Sequence, residues 1–184
     1  LLAISHELRS PLTRMRVSLE LMESSKASEQ IRNDVTEMDT MLTELLESER
    51  LSSKHAALNP VAVDLEELIN GLILQYFEAE TGGGRLAFKL PAVPIKTNLD
   101  PVRAKLMLKN ILTNALRYSK HTQKPVEISV IQLEGQVEIR IKDDGQGIPQ
   151  DKLSLLTEPF YRVDESRTRD TGGVGLGLYL SRII

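Results

Sequence analysis

The sequence contains no cysteine and no tryptophan, and aromatic residues make up 4% of its 184 positions. Without cysteine there is no disulfide framework and no thiolate metal site, a usage that fits a reducing compartment. No apolar run approaches the roughly 18 residues that a membrane span needs, and no signal peptide is visible. A surplus of one charge is missing too: 23 Lys and Arg stand against 26 Asp and Glu, for a net charge of −3. The two signs are interspersed, so charge gives no case for nucleic acid or a membrane surface as partner. What is present is an apolar fraction of 41%, that of a globular chain, and a length that suits one ordinary domain or two small ones. The helical pattern is already running at "LLAIS" and still running at "LYLSRII". We therefore expect a fragment, with any membrane contact left to segments outside it.

The two halves carry different periods. Leu8, Leu12, Met15, Leu19 and Met22 step by 4, 3, 4, 3, and so do Ile31, Val35, Met38, Leu42 and Leu45. This is the heptad seam of a coiled coil or bundle helix. The short polar link "ESSKASEQ" makes the two helices an antiparallel hairpin. A lone hairpin has nothing to bury its seam against, so a second copy is expected, closing a four-helix bundle across a two-fold axis. The other solution is packing of both helices on the second half of the same chain. "SSKHAALNPVAV" reads as a linker that enters a strand.

Beyond it, Asp64 is placed to cap a helix over Leu65 to Glu80, "RLAFKL" alternates like a strand, and "IKTN" suggests another. Asp100-Pro101 is an N-cap and N1 pair opening a helix to about Tyr118. Val126, Ile128 and Val130, the Glu134-Gly135 turn, then Val137, Ile139 and Ile141 spell a β-hairpin. Helices mixed with antiparallel strands predict an α+β fold. The predicted organisation is a helical hairpin over 1–51, a linker over 52–60 and an α+β domain over 61–184.

Three clusters in this half suggest chemistry. In "NILTNALRYS", Asn110 and Asn114 share a helix face. Asparagine is a modest helix former, so the pair is either two surface amides or carbonyl oxygens offered to a hard cation and to phosphates. Arg117 lies near the same face, and Tyr118 can pack on a flat base. "DDGQGIP" follows a strand. Gly145 and Gly147 permit close approach or positive φ, and Asp143 can accept a hydrogen bond from an amino group such as that of adenine; a plain turn is the competing reading. "TGGVGLGL" opens the last helical stretch, where glycines expose backbone N–H groups to an anion. It is neither a P-loop nor a dinucleotide fingerprint, because both spacings fail. Between the last two clusters, "EPFYRVDESRTRDTGG" has the polar, glycine-ended make-up of a lid, with Phe160 at its base and Arg162 able to reach a phosphoryl group.

Taken in order, these stretches resemble the sequence boxes of sensor histidine kinases of two-component systems. His6-Glu7-Leu8-Arg9-Ser10-Pro11-Leu12 resembles the H-box, Asn110–Tyr118 the N-box, Asp143–Gly147 the G1 box, Phe160–Arg162 the F-box, and Gly173, Gly175, Leu176 and Gly177 the G2 box. The resemblance covers nearly the whole chain, and five boxes in register make a chance match negligible. "SHELRSPLTR" is most similar to the envelope-stress and osmosensing branch. The resemblance implies a dimerisation and phosphotransfer hairpin, followed by a Bergerat-type (GHKL) ATP-binding sandwich truncated at its C-terminus. It implies ATP and Mg²⁺ as cofactors, with Mg²⁺ at Asn110, a homodimer, and a cognate response regulator as partner. It also implies a cytoplasmic location, with the parent protein in the bacterial inner membrane. Ser10 stands where the family usually has Thr or Asn, and the strands expected after the G2 box are absent.

On a helical wheel Leu12, Met15 and Leu19 fall within about 40° of Leu8, while His6 lies roughly 160° away, facing out of the seam. Ser10 is one turn along on that face, and Pro11 removes an N–H and is expected to bend the helix. A neutral imidazole, with an unperturbed pKa of about 6.5, is a good nucleophile near neutral pH. His6 is the expected phosphoacceptor. Glu7 accepts its proton or orients the ring, and Ser10 positions a water for phosphatase action. Phosphoryl transfer relies on charge neutralisation, which Mg²⁺, Arg117 and Arg162 would provide. Two other classes remain open at this level. A Bergerat ATPase that uses ATP as a conformational clamp would keep no label from γ-labelled ATP, and a silent dimeric scaffold would bind no ATP.

Overall fold

The computed structural model describes residues 2–52, 57–91, 93–119, 123–163 and 175–184; the side chains of residues 2–8, 44 and 47–52 fall outside the description. The chain divides into two compact units, Leu1–Ala56 with Leu155–Ile183, and Ala57–Ser154 with Ile184. The division falls inside 61–184, the stretch that the sequence groups as one domain.

In the first unit, α1 (Leu2–Glu20) and α2 (Lys26–Ser52) form the expected hairpin. Pro11 lies inside α1, and the helix continues through it. Leu12 and Leu19 from α1 pack with Val35 and Leu42 from α2. The other half of each seam stays in water: Met15 is 47% exposed, Ile31 45%, Met38 50% and Leu45 38%. A 4-3-4-3 stripe spans two rows of side chains, and one neighbouring helix covers a single row. The turn is closed by a reciprocal cap. The Ser25 N–H donates to Ser28 Oγ at 2.8 Å, and the Ser28 N–H donates to Ser25 Oγ at 3.1 Å. Here serine fills the place that Glu or Gln takes in a capping box. Arg32 Nη2 donates to the Leu19 carbonyl at 3.1 Å, satisfying an acceptor left over at the end of α1. This unit also holds α6 (Gly177–Ile183).

The second unit is α+β. Here β1 (Val61–Asp64) pairs antiparallel with β3 (Lys96–Leu99). A three-stranded sheet runs β2 (Leu86–Lys89), β4 (Val126–Leu133), β5 (Gln136–Lys142). The expectation of antiparallel strands needs correcting in one place, because β2 and β4 are parallel. A long helix separates them in sequence, and such a crossover returns the chain in the same direction. The β4–β5 hairpin is antiparallel as expected, with Gly135 at φ +74° in its turn.

Asp64 caps α3 (Leu65–Tyr76), accepting from the Glu66 and Glu67 N–H groups. The sequence pattern predicts a helix that reaches Glu80. It breaks at Phe77, whose backbone leaves the helical region as its ring enters the core, and resumes as α4 (Glu78–Gly82). Asp100 caps α5 (Pro101–Tyr118) with Pro101 in the first turn, as the sequence indicates. Leu65, Ile69 and Leu72 of α3 meet Leu108, Leu112 and Leu116 of α5 and Val126 and Ile128 of β4 in one apolar core.

Candidate nucleotide and phosphoacceptor residues

The core face of α5 determines where its polar face points. Ala104, Leu108, Leu112, Ala115 and Leu116 are buried. At 100° per residue, Asn110, Asn114 and Arg117 then fall on the opposite side of the helix. All three are half-buried, and Tyr118 is 49% exposed. The structure thus brings the predicted N-box residues onto one face.

The last turn of α5 meets the loop after β5. A Cβ built on Gly145 would stand 2.9 Å from the Tyr118 carbonyl oxygen and 2.7 Å from Asp143 Oδ1. Glycine is therefore required there by close approach, as the sequence suggested. The Gly145 N–H donates to Asp143 Oδ1 at 2.8 Å, which orients the carboxylate. Gly147 has φ +74°, a conformation that side chains rarely adopt. Asp144 Oδ1 accepts from Lys124 Nζ at 3.1 Å, tying the loop to the start of β4.

The second cluster lies in the other unit. Phe160, 58% exposed, has φ +65°. Its N–H donates to the Gly175 carbonyl at 3.1 Å, joining the F-box to the G2 box. Gly175 has φ +80°, and a Cβ there would stand 2.9 Å from the Tyr161 carbonyl oxygen. Leu176 is buried. Gly177 opens α6, whose end is held by Arg182 Nη1 on Thr157 Oγ1 at 3.0 Å. Arg162 is half-buried. Gly173 lies outside the described residues. His6 and Glu7 are on α1, and their side chains fall outside the description; Ser10 is exposed on the same helix.

Among the described residues, no group of three or more His, Cys, Asp or Glu side chains is arranged to hold a metal ion. A hard cation at Asn110 would take an amide oxygen there and complete its shell from phosphate oxygens and water, a donor set that suits Mg²⁺. A groove of about 390 Å³ lies elsewhere, on the sheet beside Lys89, Glu127, Ser129 and Arg140, and none of the predicted ligands line it.

One residue near the site has no signal in the sequence. Arg85 sits in the turn before β2, and its Nη2 donates to the Leu116 carbonyl at 2.6 Å. The contact spans 31 positions and follows no motif.

Among the described residues, no helix is long and apolar enough to cross a membrane. Residues 1–54 match the His Kinase A (phospho-acceptor) domain, and residues 99–184 match the histidine kinase-, DNA gyrase B- and HSP90-like ATPase. The sensor protein kinase WalK of Staphylococcus aureus (strain MRSA252) is 34% identical over 192 aligned positions, covering 98% of this chain and 31% of WalK. WalK of Staphylococcus haemolyticus is 33% identical with the same coverage. The chain thus spans about a third of the length of the curated relatives it matches. Two solved structures share the fold at 23% identity. The Acinetobacter baumannii histidine kinase AdeS has a TM-score of 0.64, with 97% of this chain and 84% of AdeS covered. Full-length ShkA, solved in complex with AMPPNP, has a TM-score of 0.72, with 98% of this chain and 39% of ShkA covered. The chain thus matches, in order, a phosphoacceptor domain over residues 1–54 and an ATPase domain of this class over residues 99–184, and over 98% of its length it is similar to sensor protein kinases.

Proposed function

We propose that the chain autophosphorylates on His6 with ATP and passes the phosphoryl group to an aspartate of a response regulator, whose phosphoryl group it also removes. The observation that carries the nucleotide part is the contact of Gly145 with the end of α5, together with the fixed Asp143 carboxylate. It sets Asp143 beside the turn that bears Asn114, Arg117 and Tyr118. Asp143 Oδ2 accepts from the adenine amino group, and the Tyr118 ring packs on the base. Asn110 and Asn114 offer amide oxygens, and Arg117 and Arg162 face phosphate charge. Gly173, Gly175, Leu176 and Gly177 offer backbone N–H groups to phosphate oxygens. Gly147 lets its loop turn, and Phe160 anchors the lid. Mg²⁺ held at Asn110 would neutralise charge on the phosphates. The proposed domains are the hairpin over 1–51, the linker over 52–60 and the ATP-binding domain over 61–184.

A ring nitrogen of His6 attacks the γ-phosphorus, an N–P bond forms, and the P–O bond to ADP breaks. The proton on the other nitrogen passes to Glu7. The exposed rows of Met15, Ile31, Met38 and Leu45 support a homodimer that joins them across a two-fold axis. The wording around His6 supports the envelope-stress and osmosensing branch, and the family supports a cytoplasmic location beneath a membrane-anchored parent.

The test is incubation with γ-labelled ATP and Mg²⁺. The label should be acid-labile and base-stable, and His6→Ala should abolish it while ATP affinity stays within about twofold. Undiminished labelling of that variant removes His6 as acceptor. Ser10→Ala should keep autophosphorylation and lose phosphatase activity toward the regulator, because only dephosphorylation uses a water. Equal loss of both activities would mean that Ser10 shapes the helix beside Pro11 and has no chemistry of its own.

A further inference from the structure

The carbonyls of the last turn of an α-helix have no partner within the helix. At the end of α5 this matters twice over, because that turn carries Arg117 and Tyr118 and abuts the Asp143–Gly145 loop. The Ala115 carbonyl is satisfied locally, by the Ser119 N–H at 3.1 Å and Ser119 Oγ at 2.6 Å. The Leu116 carbonyl belongs to a residue that is 6% exposed, and its partner comes from another part of the fold. That partner is the Arg85 guanidinium, at 2.6 Å. The short distance is that of a charge-assisted bond, and a cation at a helix C-terminus also meets the negative end of the helix dipole.

Arg85 is itself well anchored. Its N–H donates to the Glu80 carbonyl at 2.8 Å, and its own carbonyl accepts from the Val126 N–H at 2.9 Å. The backbone beneath the guanidinium is thus tied to α4 on one side and to the first residue of β4 on the other. The sheet holds Arg85, Arg85 holds the Leu116 carbonyl, and two residues later the Tyr118 carbonyl packs on Gly145 with no room for a Cβ. A fraying last turn would move Arg117 and Tyr118 away from the loop that carries Asp143. Asn110 and Asn114 lie further inside the helix and would stay in place.

We infer that Arg85 is a positioning residue for the nucleotide: it fixes the last turn of α5 against the Asp143–Gly145 loop and thereby sets ATP affinity without touching ATP. The inference rests on the reading of α5 and that loop as the nucleotide site. Arg85→Met removes the donor and keeps most of the side chain's apolar stem. Losing a hydrogen bond to a charged group is commonly worth enough to change an equilibrium about tenfold. Autophosphorylation by Arg85→Met should then show a KM for ATP about tenfold higher, with kcat at saturating ATP within about twofold. Arg85→Lys keeps one charged donor and should lie within about threefold of the unsubstituted chain. Calorimetric titration with ATP and Mg²⁺ should give the same ranking.

A role in stability alone would lower the melting temperature of Arg85→Met and leave the affinity of the folded fraction unchanged. Such a result, with affinity within twofold and a native circular dichroism spectrum, overturns the inference. Should Arg85→Met fail to fold, Arg85→Gln and Arg85→Lys decide: affinity falling from Arg to Lys to Gln supports it, and equal affinity overturns it. The unsubstituted chain serves as the reference for the underlying reading. If it binds no ATP, the nucleotide site itself is wrong and this inference goes with it; if it binds and the variants match it, this inference alone is wrong.

Discussion

Gly145 shows how one missing side chain brings a helix and a loop together. In Gly145→Ala the new Cβ would stand 2.9 Å from the Tyr118 carbonyl oxygen, and the contact is with backbone, which yields little. We expect about 1–3 kcal/mol of destabilisation from this overpacking, with ATP affinity lower on the order of tenfold because the α5 turn must retreat. Gly71 is the control. It lies in α3, and nothing stands within 4 Å of a Cβ there. Gly71→Ala should gain up to about 1 kcal/mol in helix propensity. Thermal melts and ATP titration of the two variants check both outcomes. Similar stability for the two would remove close approach as the reason for Gly145. The need for glycine was visible in "DDGQGIP", but the group it approaches was not: Tyr118 is distant in sequence, and a turn residue and a packing residue look alike along the chain.

At the scale of elements, α5 is held at both ends by residues outside its core face. Asp100 caps its start. Asp100 Oδ1 accepts from the Val102 and Arg103 N–H groups, and Oδ2 accepts from the Asn59 N–H at 3.1 Å. These bonds, that of Asn59 foremost, then the Arg103 N–H, hold the carboxyl below its usual 3.8, with the nearby Arg103 guanidinium adding to them. A carboxyl lowered in the folded state contributes stability that is fully present above the ordinary carboxyl range. That stability is lost as pH falls through the lowered value. Asparagine is as good an N-cap as aspartate, but its amide nitrogen cannot accept from Asn59. Asp100→Asn should therefore keep α5 and melt at a lower temperature near pH 7. The gap from the unsubstituted protein should narrow as pH falls below the ordinary carboxyl range towards the lowered value, where the folded carboxylate takes up its proton. A gap independent of pH would mean that the carboxylate charge does not contribute. The cap itself was legible from Asp100-Pro101. The bond to Asn59 crosses 41 positions and had no signal there.

For the molecule as a whole, the hairpin buries one row of its seam and leaves the other exposed. Leu42 is 8% exposed and packs within the hairpin, whereas Met38 and Leu45 are 50% and 38% exposed. Glutamate at position 42 would therefore damage the hairpin itself. Glutamate at both Met38 and Leu45 should leave the hairpin helical and abolish the proposed dimer, because charges buried across its two-fold axis would cost several kcal/mol per uncompensated ion. Sedimentation equilibrium should then show monomers with unchanged far-ultraviolet circular dichroism. A dimer that survives both substitutions would place the interface on another face.

The sequence by itself determined what depends on near neighbours. Periodicity marked both hairpin helices and the β4–β5 hairpin, Asp64 and Asp100 marked helix starts, and five short boxes carried the family resemblance, because each is a local pattern of side chains. Tertiary structure decided what depends on residues far apart. It made β2 and β4 parallel, since a crossover helix returns the chain in the same direction. It ended α3 at Tyr76, since burying Phe77 outweighed one more helical turn. It divided the seam into an inner and an outer row, since one helix can cover only one row of its neighbour. It also brought Arg85 to the Leu116 carbonyl, because a carbonyl in the last turn of a helix takes a donor that the fold places within reach.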